Sequence, residues 1–462
     1  MLIRLSSLLL LAPLVLVVGC GDDEPPKNEE KGCSIEQQTG CGTGLVCEAV
    51  EGADPACFAP LFVRGRVFDS LDDQPIEGAR VIARDPNDAA LSRVAISAAD
   101  GTYELQVAAK RDASGAPVKA DVTLRADAMS YDTFPRAPRV AIPIDLATAA
   151  GSPLAIENAA TEIALFPLED AAGLGSISGR VVSANLGETA GTLVVAGSVT
   201  GAADFDGAYT IFNVPAGDHE VRGYAQGLQI DPATAKVAAG MNIAGVDLNV
   251  TGEATSVVSG KIEIVNAPGT SGTSVILVVE DTFNEAAARG EAPRGLRVGN
   301  VSGDFKIEGV PQGKYVVLAA FENDGLVRDP DTSIGGTDIV HIEVGEADLA
   351  IPESFKVTGA LAVQSPGAET IEEVSGTPTF VWEDDSSEGG YELRLFDALG
   401  NLVWEDLAIP EVSGSKDVTL QYGGSALTAG MIYQFRVLSM SKDAQPNPIS
   451  ATEDLRGVFI YR

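Results

Sequence analysis

Apolar and polar positions alternate with period two through short runs of this chain, and the runs end in Gly, Pro, Asn or Asp. That is the pattern of half-buried strands joined by tight turns. The clearest run is Gly207-Ala208-Tyr209-Thr210-Ile211-Phe212-Asn213-Val214-Pro215-Ala216-Gly217. It returns 96 positions later as Gly303-Asp304-Phe305-Lys306-Ile307-Glu308-Gly309-Val310-Pro311-Gln312-Gly313, with a looser copy at Asp100-Gly101-Thr102-Tyr103-Glu104-Leu105. Each copy predicts a hairpin. Gly101, Gly207 and Gly303 take the positive φ of the first turn, Tyr103, Tyr209 and Phe305 point into a core, and Pro with Gly builds the next turn.

Each hairpin is preceded by a strand with a central glycine: Phe62-Val63-Arg64-Gly65-Arg66-Val67-Phe68, then Ser176-Ile177-Ser178-Gly179-Arg180-Val181, then Val257-Val258-Ser259-Gly260-Lys261-Ile262. From that glycine to the hairpin glycine the spacing is 36, 28 and 43 residues, so the third repeat carries an extra excursion. Within it, Asn284-Glu285-Ala286-Ala287-Ala288-Arg289 predicts a short capped helix. The first repeat lacks the Val-Pro-x-Gly turn, and its proline-rich tail from Ala126 to Pro167 adds edge strands or a loop.

This order of elements resembles the carboxypeptidase regulatory-like domain, a seven-stranded transthyretin-like sandwich, over about residues 61–350. The resemblance implies accessory or display modules and no particular activity. Beyond Glu353, the tryptophans Trp382 and Trp404 and the run Leu427-Thr428-Ala429-Gly430 before Tyr433 look like a fibronectin type III-like sandwich. The expected fold is therefore all-β: tandem seven-stranded Ig-like or transthyretin-like sandwiches, arranged as beads on a string. The expected divisions are 61–170, 171–252, 253–352 and 353–462.

The N-terminus changes the picture. Residues 1–19 carry Arg4 and an apolar core from Leu8 to Val18, and end in Val17-Val18-Gly19-Cys20. This is a lipobox: a lipoprotein signal peptidase cuts before Cys20, and the Cys20 thiol is the atom to which a diacylglycerol is attached. The run is shorter than the roughly 20 apolar residues that span a bilayer, and Pro13 interrupts it. Residues 20–32 then read as an acylated tether, charged and without apolar anchors. Cys33, Cys41, Cys47 and Cys57 crowd into residues 33–60 at intervals of 8, 6 and 10. Those intervals lack the close pairs of a zinc site and point to two disulfides, with three connectivities open.

At 462 residues, with 66 acidic and 31 basic side chains, the chain is long enough for several domains and carries a net charge of -35. Such a surface repels polyanions and excludes nucleic acid as a partner. Candidate chemistry is sparse. His219 and His341 are expected to be a packed strand residue and an outward strand residue. Gly309-Val310-Pro311-Gln312-Gly313-Lys314 has the wrong spacing for a phosphate loop. Asp384, Ser386 and Glu388, with Asp385, imitate the start of a calcium loop, but Leu395 stands where its twelfth-position acid is due, so the stretch reads rather as a solvated loop. Asp324, Asp329 and Asp331 form a weaker acidic cluster. No cofactor is implied. The expectation is a noncatalytic lipoprotein of a Gram-negative envelope, at the outer membrane or cell surface, held by its lipid and serving as a stalk or binding platform for protein or glycan. The alternative is an envelope hydrolase or processing component.

Overall fold

The computed structural model describes residues 32–462 except 36, 87–88, 136–141, 186, 266, 268–271, 286–287, 320–323, 331–337, 386, 413 and 415. The leader, Cys20 and most of the tether lie outside the described residues, as do Ser386 and Asp331. The described residues form strands and three 3-10 turns, with no α-helix among them. Period-two alternation is the cause: in Ala208–Pro215, Tyr209, Ile211 and Val214 are buried while their neighbours face outward.

Four sandwiches follow one another. In the first, Leu61–Asp69 lies between Thr102–Val107 and the return strands Ala155–Ile156 and Ile163–Leu165, and the facing sheet is built on Arg80–Arg84 and Asp121–Asp127. The second centres on Leu174–Val182 and faces Leu193–Ala196 and Gly217–Tyr224. The third pairs Ser256–Val265 with Asp304–Val310 and Leu349–Gly359, opposite Thr273–Val279 and Gly313–Ala319. Because Leu349–Gly359 pairs in parallel with Ser256–Val265, the third sandwich extends to Gly359. The fourth sets Thr379–Glu383 against a larger sheet that contains Gly390–Asp397 and Ile432–Met440. Among the described residues each sandwich has eight or nine strands rather than seven, in the first two partly because a bulge splits the return strand.

Two local expectations change. Asn284 and Arg289 form an antiparallel bridge, Asn284 N–H donating to the Arg289 carbonyl at 2.7 Å, and Ala288 takes φ 48°, so the described residues of this stretch are not helical. Six residues cannot offset the cost of a helical nucleus without a packed face. In the third hairpin the positive φ falls on Asn300 (57°) and not on Gly303, because Ser302-Gly303 alone bridge Arg297–Val301 to Asp304–Val310.

Each sandwich has its own core, and a fifth cluster of Ile276, Val278, Ala292, Val316 and Leu318 lies on the other face of a sheet of the third. Two of the four sandwich cores cross boundaries. The first core takes in Ala398, Ile432 and Val458 of the fourth sandwich, and the third takes in Leu193, Val195 and Tyr224 of the second. Arg125 Nη2 donates to Thr200 Oγ1 at 2.7 Å, and Asn213 bonds the backbone of Ser130 and Ala128, joining first to second. The tandem order thus holds, but the string folds back on itself. Short connectors such as Ala254-Thr255 fix which sandwiches are neighbours in sequence, yet leave their faces free to meet. The cysteine segment is docked too: Arg111 Nε meets Glu48 Oε2 at 2.5 Å, both side chains buried against the first sandwich.

Candidate binding groove

In the first two sandwiches the central glycine of the opening strand has the same structural cause. Opposite it, the parallel return strand bulges, and the excursion presses against the sheet. A Cβ on Gly65 would lie 2.0 Å from the Thr161 carbonyl oxygen, and one on Gly179 would lie 1.9 Å from that of Val246. In both places a tyrosine closes the gap. Tyr103 Oη donates to the Thr161 carbonyl at 2.6 Å, and Tyr209 Oη to the Val246 carbonyl at 2.5 Å. Burial raises both phenols far above their ordinary range. The first two sandwiches therefore plug this position with their own backbone.

The third sandwich does not. Its residue in register is Phe305, which has no hydroxyl, and the nearest atoms to a Cβ on Gly260 are those of the Phe305 ring, followed by Ile351. Pairing with the return strand stops at Ser259 and Ala350 and resumes at Lys261 and Ser354, which turns Pro352 and Glu353 outward. A groove of about 750 Å³ opens there. Gly260, Phe305 and Ile351 form its floor, and Ser259, Lys261, Lys306 and Glu353 belong to its rim. Ser354 Oγ donates to Glu263 Oε1 at 2.9 Å on the same wall. This polar rim over a small apolar floor can bind a ligand through hydrogen bonds and charge. Sequence reasoning placed Phe305 in the core and missed the groove. The signal was present as Tyr, Tyr, Phe at one register.

The other candidates are placed as follows. Cys33 bonds to Cys47 and Cys41 to Cys57, which selects one of the three connectivities. The sulfurs of Cys33, Cys41 and Cys47 lie within 4.8 Å of one another because the two bridges sit side by side, each sulfur already bonded. His219 is half-buried, and its Nε2 lies 2.7 Å from the Pro215 carbonyl; Tyr315, its counterpart 96 positions on, donates from Oη to the Pro311 carbonyl at 2.8 Å. Each side chain ties down its own Pro-x-Gly turn. His341 is exposed and pairs with Glu280 at 3.4 Å.

In the 384–389 stretch three carboxylate oxygens already have protein donors. Asp384 Oδ1 accepts from Tyr391 Oη, Asp385 Oδ1 from Ser387, and Asp385 Oδ2 from Ser439 Oγ. Glu388 is not a solvated residue: it is 3% exposed, and its Oε2 has no hydrogen-bond partner. Burial raises its carboxyl above the usual range, and Asp384 and Asp385 push the same way. Among the described residues the carboxylates of Asp384, Asp385 and Glu388 do not converge as a ligand set. Trp382 is fully buried, edge-on to Tyr391, and Trp404 packs on Phe380 and Tyr422, so both serve the core.

No family model and no curated protein matches the chain. Among solved structures it is similar to the Bacillus anthracis TIE protein, at 12% identity over 84% of this chain and 66% of that one, with a TM-score of 0.15. It is similar to the tetra-tandem repeat in the extending region of a large adhesion protein, at 14% identity over 86% and 100%, TM-score 0.14. It is also similar to BcpA, the major pilin subunit of Bacillus cereus, at 9% identity over 65% and 100%, TM-score 0.15. At such scores these likenesses carry no argument of their own, and the fold rests on the sheets described above.

Proposed function

We propose that the chain is an extracytoplasmic lipoprotein, acylated at Cys20 and held on a Gram-negative envelope at the outer membrane or cell surface. Its sandwiches act as a noncatalytic platform, and the groove beside Gly260 receives a protein or carbohydrate ligand. The carbohydrate-binding-like and fibronectin type III-like character of the sandwiches belongs to the same reading. The observation that carries it is the groove itself: one of three equivalent positions is left open where the chain's own backbone fills the other two. The two disulfides support the compartment, because such bonds persist outside the reducing cytosol.

The test has two arms. Cys20→Ala is expected to abolish incorporation of labelled fatty acid into the chain, and unchanged labelling would refute the anchor; the chain expressed without residues 1–19 and with Cys20→Ala is expected in the soluble fraction. Arrays of glycans and peptides are then probed with the soluble chain and with Ser259→Trp, which fills the groove. Retention that the tryptophan abolishes supports the site. Retention that it leaves intact, or no retention by either chain, refutes it.

A further inference from the structure

The excursion that sets the third sandwich apart, Glu280 to Arg297, touches every other sandwich. Its Glu291 carboxylate receives Arg84 and Arg125 of the first, with the three side chains only 19%, 10% and 3% exposed. Arg297 meets Asp85 of the first at 2.5 Å. Arg289 pairs with Asp454 of the fourth, where Arg436 also ends. Arg294 donates to the Glu188 carbonyl of the second at 2.6 Å, and its own carbonyl accepts from Gln226 N–H at 3.0 Å. One segment thus supplies charged contacts to three separate bodies.

We propose that this segment is an electrostatic latch, and that the chain has a compact latched form and an extended unlatched form. The contacts are of a kind that favours two states. The Glu291 carboxylate is shared by Arg84 and Arg125, and Arg125 also holds Asp127 at 2.8 Å, so losing Glu291 strands the Arg84 charge away from water while Arg125 keeps a partner. A chain with a net charge of -35 repels itself and gains from extension once the latch is lost. Apolar contacts of the first sandwich with Ile432 and Val458 close the same arrangement from the other side. On an anchored chain, the latch would set how far the groove reaches from its lipid.

The test is small-angle scattering on the chain expressed without residues 1–19 and with Cys20→Ala, so that neither the lipid nor the apolar leader is present. A compact chain of this length has a radius of gyration of about 22 Å, and four sandwiches end to end reach roughly 40 Å. Glu291→Arg sets a third guanidinium beside Arg84 and Arg125 with only Asp127 to oppose them, and is expected to move the radius toward the larger value. Adding Arg84→Glu restores an opposite pair and is expected to return it toward the smaller. Arg289→Glu, which opposes Asp454 instead, is expected to expand the chain independently of the Glu291 site. A wild-type radius for Glu291→Arg or Arg289→Glu would overturn the latch. So would expansion that Arg84→Glu leaves unrepaired, because that is the behaviour of a misfolded chain.

Discussion

Removing a single oxygen atom tests the plug that distinguishes the first two sandwiches from the third. In Tyr209→Phe the ring keeps its place, 2% exposed in the second core, but the Val246 carbonyl loses the hydroxyl that meets it at 2.5 Å. That carbonyl is so close to the sheet that a Cβ on Gly179 would come within 1.9 Å of it, so water has no room to replace the donor. A buried acceptor left without a partner costs about 1–3 kcal/mol. With about 2 kcal/mol, amide exchange in Leu174–Val182 and Ala208–Pro215 should quicken about 30-fold, and a sandwich of this size should melt roughly 10 °C lower. Tyr103→Phe, which strips the Thr161 carbonyl in the same way, should do this to the first sandwich alone. Hydrogen exchange read by mass spectrometry locates the effect, and the strands of the third sandwich, where Phe305 never made such a bond, are the internal control. A change below about threefold in the second sandwich would mean that the hydroxyl does not hold the excursion. The comparison with the open groove would then fail with it.

Three further outcomes follow from particular contacts. Gly179→Ala pushes a methyl against the Val246 backbone, which has no rotamer to escape into, and should cost about 3 kcal/mol in urea unfolding; a loss within about 0.5 kcal/mol would show the return strand to be elsewhere. Glu388→Gln should raise the melting temperature at pH 7. The native carboxyl titrates above its unfolded value near 4.3, so its burden is carried at pH 7 and relieved as pH falls through the raised folded value; the advantage of the variant should shrink along that path, and a constant advantage from pH 7 to pH 4 would refute the assignment. Burial, with the bond to Asp69, pushes the Tyr131 phenol up to about 12, and Tyr103, Tyr209 and Tyr391 are raised further. Their share of stability is full below pH 10 and lost as pH rises through 12, so the part of the tyrosinate absorbance at 295 nm that each of these four loses on replacement by Phe should appear together with unfolding, not ahead of it.

Period two and turn residues made the sandwiches legible, since Tyr209, Ile211, Phe305 and Ile307 are placed by local alternation alone. The positive φ of Gly101 and Gly207 was legible for the same reason, whereas Gly303 was misread because a neighbouring residue, Asn300, tolerates the left-handed region and relieved it. The groove was not legible from strand pattern. It depends on where the return strand breaks register, and a bulge between Ala350 and Ser354 leaves no periodic mark. The folding back was hidden for a different reason. Arg84, Arg125, Arg289 and Glu291 look like ordinary surface charges in a chain that is 21% charged, and only their meeting across sandwiches distinguishes them.

The latch and the net charge act in opposite directions, which gives salt an unusual sign. Exposed pairs are weakened by ions in solution, but Arg125 and Arg84 meet Glu291 in a place where ions scarcely enter, so added salt should hardly loosen them. Repulsion among the exposed carboxylates that dominate a net charge of -35 is another matter. At about 10 mM salt the screening length is roughly 30 Å, comparable to a whole sandwich, and at 150 mM it falls to about 8 Å. Dilute salt therefore lets the sandwiches repel across the molecule, while physiological salt leaves the latch to decide. The radius of gyration of the wild-type chain should fall, or stay level, as salt rises from 10 to 150 mM. In Glu291→Arg, where only Arg289 with Asp454, Arg297 with Asp85 and the apolar contacts at Ile432 and Val458 still oppose the repulsion, it should fall more steeply from a larger starting value. A wild-type radius that grows with salt would mean that the pairs around Glu291 are reached by ions, and that the buried geometry on which the latch depends is not the one in solution.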